Sequence, residues 1–390
     1  MSNNKTVLVT DGFWRKSLAV VRALSKSGLK VGVGERTILA PALFSKYAHW
    51  RYIYPSTLLY PDRFLSWLEK LVKTNKFDVL IVPEEDTGLL VAKNRDRFSK
   101  FIRIPLAELS AINFLRDKFA VISHALKLGI PCPNTKLINS IADINCCKGS
   151  LKFPLVLKPV SSSGGHGIQY VLDESYLNVM AEKILGKYEK CLIQDYIPGN
   201  NYYGVSVIFN GRNQMRSAFV HQKLRQYPST GGASTYAVSV KYPKLVELSE
   251  ALLKSLGWFG VANVEFKVDQ RDGIPKLMEA NPRLWGSLQL AISSGVNIPH
   301  MLYQLASEGD VTPIFDYKIG VKFRWFLHGD AMNFLSNLYK LKKIDSNILK
   351  LYEKGNAHAI WSLTDPLPML GNMMSLLDYM TSKELRKFHG

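Results

Sequence analysis

Apolar and polar positions follow two different rhythms along this chain. Val7-Leu8-Val9-Thr10 is a short apolar run closed by Asp11-Gly12. Leu18, Val21 and Leu24 then recur at helical spacing, and Gly28 is placed to end that helix. Val31-Gly32-Val33 reads as a second strand. Phe64, Leu65, Leu68, Leu71 and Val72 form a core-facing helical stripe, and Val79-Leu80-Ile81-Val82, cut by Pro83, reads as a third strand. Strand, helix, strand, helix, strand predicts a parallel α/β layer over residues 1–112. A helix is expected from Asp117 to Leu128, ended by Gly129, Pro131 and Pro133. Beyond about residue 150 the pattern shifts to hairpins and short strands with one or two helices, an α+β layout. Helical patterns with scattered lysines return after 306. There is no internal repeat and no low-complexity tract.

Composition narrows the class. At 390 residues the chain is long enough for two to four domains. Its 47% apolar and 21% charged residues exclude a disordered or collagen-like chain. No apolar run reaches the roughly 18–20 residues of a membrane-spanning helix. The polar stretch Met1 to Thr6 runs straight into a strand, so no secretory signal is expected. Cys132, Cys146, Cys147 and Cys191 are too few and too irregular for a disulfide scaffold, and adjacent Cys146–Cys147 is not a C-x-x-C spacing. A reducing, cytoplasmic setting is the expectation. Fifty Lys+Arg against 32 Asp+Glu leave a formal charge of +18. That surplus favours anionic partners without choosing among nucleotide phosphates, carboxylates, nucleic acid and acidic membranes.

Candidate chemistry is concentrated in the middle of the chain. Asp11-Gly12-Phe13-Trp14-Arg15 has one glycine where a dinucleotide fingerprint needs three, so that reading is rejected. Glu84-Glu85-Asp86 lies just past a strand, where parallel sheets bind ligands, but carboxylates starting a helix are the preferred reading. Phe153 to Pro159 and Ile168 to Val171 are strand-like and flank Val160-Ser161-Ser162-Ser163-Gly164-Gly165-His166-Gly167. A glycine- and serine-rich loop between two strands excludes a Walker A loop, yet it can fold over a phosphate tail and offer backbone N–H groups. Lys158 sits among apolar neighbours, where an anion is its natural mate; the alternative is a snorkelling lysine beside a hairpin tip.

Val261 to Asp269 and Pro275 to Arg283 flank Gln270-Arg271-Asp272-Gly273. A hairpin centred near Asp272 sets Glu265 directly opposite Glu279, with Asn281 and Arg283 on the same face. Two opposed carboxylates and an amide oxygen suit Mg²⁺. Arg283 can grip a transferring phosphoryl group bidentately. The alternative is a hairpin with charges on its wet face, although Phe266, Met278 and Ala280 give both strands an apolar side. Cys191 to Gly199 reads as a strand ending in a turn, whose free backbone groups suit an adenine edge.

In this order the pieces resemble the ATP-grasp superfamily of carboxylate–amine ligases, related to D-alanine–D-alanine ligase, biotin carboxylase and carbamoyl phosphate synthetase. The resemblance implies a pre-ATP-grasp α/β domain (1–112), a small subdomain with the glycine-rich loop (113–190), a large subdomain with the metal site (191–305) and a C-terminal extension (306–390). It makes Lys118 and Lys158 the nucleotide-binding lysines and places Ser163, Gly164, Gly165 and Gly167 over the phosphates. Gln194, Asp195, Tyr196 and Ile197 become the hinge beside the adenine. Glu265, Glu279 and Asn281 become Mg²⁺ ligands, with Mn²⁺ as a substitute, and Arg283 meets the γ-phosphate or an acyl phosphate. One departure is that Gly199-Asn200-Asn201-Tyr202-Tyr203 lacks the acidic residue that holds the ribose, leaving Asp195 and Asn201 as candidates. The run His221 to Lys223 is similar to one near the reacting phosphate of biotin carboxylase.

Lys223 and Arg225 are accordingly expected to stabilise charge on a phosphoryl in flight, against the alternative of a basic strand edge, while His221 is read as a core histidine. Arg324, among aromatics, is read as a stacked structural arginine or a carboxylate binder.

The implied activity is ATP-dependent formation of an amide from a carboxylate and an amine through an acyl phosphate. Alternatives within the fold are a thiol, bicarbonate or hydroxyl acceptor; the absence of a Met-Lys-Met segment disfavours a self-contained biotin carboxylase. An anionic-polymer or surface-binding module is the alternative from another class, weakened by the dispersal of the basic residues. Expected partners are small carboxylate and amine substrates and a second copy of the chain in a homodimer, with no nucleic acid and no membrane span. The last residues, with Trp325, Phe326 and Trp361, are expected to cap the cleft or to form that dimer interface.

Overall fold

A computed structural model describes residues 5–161, 166–228, 231–334 and 356–381. The chain opens with β1 (Thr6–Val9), α1 (Arg15–Lys26), β2 (Lys30–Glu35), β3 (Trp50–Ile53), α2 (Pro61–Thr74), β4 (Val79–Ile81) and α3 (Glu85–Lys93). The four strands form a parallel sheet in the order β3-β2-β1-β4. Its centre is covered on both faces: Val7 and Val9 pack with Leu18 and Val21 of α1, and Leu8 packs with Phe64 and Leu68 of α2. A strand buried on both sides needs an unbroken apolar run, which is why Val7-Leu8-Val9 reads as it does. Edge strand β3 has three exposed residues in four, and no apolar rhythm announces it.

Helices α4 (Leu109–Arg116) and α5 (Lys118–Lys127) follow, hinged at Asp117. The Asp117 carboxylate caps α5 by accepting from the Ala120 N–H at 2.9 Å. A small antiparallel sheet comes next: β5 (Thr135–Ile138), β6 (Leu155–Pro159), β7 (Gln169–Val171) and β8 (Cys191–Asp195), in the order β5-β8-β6-β7. Helices α6 (Ile141–Cys147) and α7 (Leu177–Leu185) share its core with Leu155, Leu157 and Ile193. Strand β8, assigned to the large subdomain by the boundary at 190, is bonded on both sides within the small sheet.

The large sheet runs β13-β12-β9-β10-β11-β14-β15. Its members are β9 (Tyr202–Phe209), β10 (Met215–Tyr227), β11 (Ala233–Val240), β12 (Gly260–Val268), β13 (Pro275–Asn281), β14 (Lys322–Arg324) and β15 (Ala357–His358). One face is apolar through Val205, Val207, Val264 and Phe266, packed with residues of α4, α5 and α8 (Pro243–Ser255). The opposite face carries Tyr202, Gly204 and Ser206 opposite Lys267, Glu265 and Asn263, a polar floor. Described residues of the C-terminal extension pack into the rest of the molecule. Strands β14 and β15 complete the large sheet, and Asp365 accepts from Arg22 of α1 at 2.8 Å and from Ser45 at 2.7 Å.

Candidate active site

The hairpin of β12 and β13 forms the predicted register: Glu265 faces Glu279, and Asn263 faces Asn281. Past this pair the register slips by one, because Phe266 pairs with Leu277 and Met278 becomes an extra residue in β13. The Met278 carbonyl accepts from Lys158 Nζ of β6 at 3.4 Å, joining the small sheet to the large one across a cleft. Helix α5 lies against β13, so its first residue, Lys118, brings its Nζ to 4.0 Å from Glu279 Oε2. On the other carboxylate, Glu265 Oε2 accepts from Lys223 Nζ at 2.6 Å. Asn281 donates to Glu279 Oε1 at 3.0 Å and Asn263 to Glu265 Oε1 at 3.3 Å.

Burial drives the Lys158 ammonium down to about 8, aided by the neighbouring Lys118 charge, and lowers Lys118 against the pull of Glu279. Burial alone would raise the Glu279 carboxyl, yet Lys118, the Asn281 N–H and Lys158 together hold it below its ordinary value. Arg283 stays above its ordinary value despite burial because Glu84 and Glu85 face it; its Nε lies 3.3 Å from Glu85 Oε2. The acidic run therefore does start α3, as expected, and one of its members also neutralises a candidate site residue.

Five cations line the cleft (Lys118, Lys158, Lys223, Lys267 and Arg283) against three carboxylates (Asp195, Glu265 and Glu279). The surplus of two positive charges matches a magnesium-bound nucleoside triphosphate at about −2. Among the described residues no group of three or more His, Cys, Asp or Glu side chains could hold a metal ion by itself. The donor set of two facing carboxylates and an amide nonetheless fits Mg²⁺, which takes one or two carboxylates and completes its shell with phosphate oxygens and water.

Of the hinge residues, Gln194, Asp195, Tyr196 and Ile197 all line the cleft, and the Gln194 amide donates to Thr135 Oγ1 at 2.8 Å. Gly167 is not among the lining residues and lies against Pro159 and Tyr188, while Ser163, Gly164 and Gly165 lie outside the described residues. His221 is buried and uncharged, pushed down to about 3 by burial and then by Lys223. It lies over Gly204, where a Cβ would come within 2.4 Å of the imidazole. Its Nε2 is 3.4 Å from Ser287 Oγ.

Arg225 departs from expectation. A bulge at Leu224 shifts β10, so that Lys223 pairs with Ala237 but Arg225 with Tyr236, turning the two basic side chains to opposite faces. Arg225 is not among the cleft-lining residues; it stacks on Tyr236 at 4.3 Å and donates to the buried Asp330 at 2.8 Å. Arg324 donates to the same carboxylate at 2.8 Å, consistent with a structural arginine. Sequence reading missed Lys267, which strand alternation sets two residues beyond Glu265 on the polar floor. It also missed the grip of Arg15 and Lys16 on the strap after Arg283: Arg15 Nε donates to the Gly286 carbonyl at 2.8 Å, and Lys16 Nζ to the Leu284 carbonyl at 3.1 Å.

Two family descriptions match in overlapping stretches: a RimK-like ATP-grasp domain over residues 115–220, and an "ATP-grasp in the biosynthetic pathway with Ter operon" over 187–326. The chain belongs to the ATP-grasp superfamily. It is 24% identical to a D-aspartate ligase of Enterococcus faecium over 246 residues, covering 58% of each protein. It is 24% identical to the carbamoyl phosphate synthase large chain of Thermus thermophilus over 221 residues, 55% of this chain and 21% of that one. The chain thus spans between a fifth and three fifths of the length of these relatives. Its fold is similar to the biotin carboxylase domain of the Hydrogenobacter thermophilus 2-oxoglutarate carboxylase, a domain dimer solved with MgADP, ADP and bicarbonate. That likeness has a TM-score of 0.69 and 16% identity, covering 82% of this chain and 73% of the other. The parallel front layer and the two-sheet core are thus the ATP-grasp architecture. No described helix is long and apolar enough to cross a membrane.

Proposed function

We propose that the cleft binds Mg·ATP and couples its cleavage to formation of an amide bond between a carboxylate and an amine. The observation that carries this reading is the facing pair Glu265–Glu279, with Lys118 and Lys158 on the same cleft. Glu265, Glu279 and Asn281 would hold Mg²⁺, which supplies charge neutralisation at the β- and γ-phosphate oxygens. Lys118 and Lys158 would take phosphate oxygens, closer acceptors than Glu279 at 4.0 Å and the Met278 carbonyl at 3.4 Å. The backbone of Gln194 to Ile197 would border the base.

With these charges placed, a carboxylate oxygen of the substrate attacks the γ-phosphorus and ADP leaves. The amine nitrogen then attacks the acyl carbon, phosphate leaves, and the nitrogen gives up a proton. No protein nucleophile takes part; positioning and charge neutralisation supply the catalysis. Arg283, which lines the cleft and is itself held by Glu85, would stabilise the negative charge that builds on the transferring phosphoryl group. The relative named for ligating D-aspartate, an amino acid with both required groups, is in keeping with this chemistry. ADP release measured over a grid of carboxylates and amines tests it. The expected result is ADP formation that needs Mg²⁺, a carboxylate and an amine together. Turnover that instead requires bicarbonate or a thiol, or that yields a stable phosphorylated product without an amine, overturns the amide reading.

A further inference from the structure

Strand β12 pairs with β9 in unbroken register from Gly260 to Lys267, so Asn263, Glu265 and Lys267 point to one face. Glu265 marks the phosphate end of that face through its contact with Lys223 and its pairing with Glu279. Lys267 stands two residues further towards the hinge. The residues after it are tied to the hinge turn, with the Val268 N–H donating to Asn201 at 2.9 Å and the Gln270 N–H to Pro198 at 3.3 Å.

The Lys267 side chain lines the cleft although the residue is only 3% exposed. Its Nζ lies 4.5 Å from the ring centre of Tyr202 and 5.0 Å from that of Tyr196. The ring faces offset the charge of the ammonium but leave its three N–H donors unused. Asp269, the nearest acid along the strand, is engaged by Arg271 at 2.6 Å. Each other cleft lysine has an oxygen neighbour: Glu279 for Lys118, the Met278 carbonyl for Lys158 and Glu265 for Lys223. Among the described residues Lys267 has none. A buried ammonium with free donors, held between two aromatic faces at the hinge end of a nucleotide cleft, is arranged for an acceptor that arrives with the ligand.

We propose that Lys267 is a nucleoside-binding residue whose ammonium donates a hydrogen bond to an acceptor atom on the base or the sugar of the bound nucleotide. The proposal rests on the nucleotide reading above and adds to it the group that holds the nucleoside end. Lys267→Met keeps the length of the stem and removes the buried charge, so the fold should persist, as a melting curve will check. Calorimetric titration with Mg²⁺ and β,γ-imido-ATP is expected to show binding roughly 10- to 100-fold weaker in the variant, the loss of one charge-assisted hydrogen bond. Titration with Mg²⁺ and inorganic tripolyphosphate should give the same affinity in both proteins. Repeating the nucleotide titration with 2′-deoxy and 3′-deoxy-ATP locates the acceptor. A penalty seen in the wild type and absent from the variant assigns it to the sugar, and an equal response assigns it to the base. Unchanged β,γ-imido-ATP affinity in Lys267→Met overturns the proposal and leaves the nucleotide reading standing, and an equal loss for tripolyphosphate overturns it too. A wild-type protein that binds no adenine nucleotide overturns both.

Discussion

Arg225 and Arg324 lie on β10 and β14 with Tyr236 of β11 between them, and both donate to the carboxylate of Asp330, which is 0% exposed. Lys158 and Lys267, in the cleft of the same molecule, are as deeply buried at 5% and 3%, yet one has a long contact to a main-chain carbonyl and the other only ring faces. The first group is closed: both guanidinium groups donate to a buried carboxylate of the protein itself. The second is open: its ammonium donors have no close charged acceptor among the described residues. Burying a charge without a partner is costly, so a protein keeps such an arrangement where a ligand makes up the difference. Residue type alone does not draw this line: Arg225 and Lys158 are both basic, yet only the first donates to a carboxylate.

The largest expected effect lies on the open side. Glu279→Gln removes one of the two facing carboxylates and should lower ADP-forming turnover by at least about 10²–10³-fold, measured at saturating substrates, with little change in melting temperature. Wild-type turnover in that variant would mean the metal assignment is misplaced. On the closed side, Asp330→Asn leaves the buried Arg324 and the half-buried Arg225 without their counter-ion and should cost about 3–5 kcal/mol in urea unfolding. Arg225→Met should destabilise too, while leaving turnover per folded molecule within about threefold of wild type. A larger loss of turnover would return Arg225 to the catalytic set.

A smaller effect follows from pH. Burial holds Lys158 at about 8, below its ordinary 10.5. Between these values the unfolded chain binds a proton that the folded protein has released, so raising the pH from about 8 towards 10.5 adds stability through this group. Phosphate binding needs the charged form, so nucleotide affinity should fall over the same range. Melting curves and nucleotide titrations from pH 7 to 10 should thus move in opposite directions.

The sequence made much of this legible where a simple period governs. The alternation of strand-like and helical patterns predicts the parallel layer, and residue counting about Asp272 predicts the Glu265–Glu279 register. What escaped it depends on events without a local signature. Strand β3, Trp50-Arg51-Tyr52-Ile53, lies at an edge with no apolar rhythm to mark it. The bulge at Leu224 that reverses Arg225 comes from pairing with β11, not from the residues of β10. The placement of β8 in the small sheet and of β14 and β15 in the large one is a matter of which distant partners meet. Lys267 was within reach, because the same period-two rule that paired Asn281 with Glu279 also carries Glu265 to Lys267.

The contact between Glu85 and Arg283, with the hold of Arg15 and Lys16 on the strap behind that arginine, has a wider consequence. The front layer and the nucleotide core cannot be exchanged between relatives as independent cassettes. A donor front layer must bring its own carboxylate and its own two-pronged cationic grip at matching positions, or the recipient core loses the tuning of an arginine that belongs to another fold unit. Recombination between these two regions is therefore constrained by electrostatics as well as by shape.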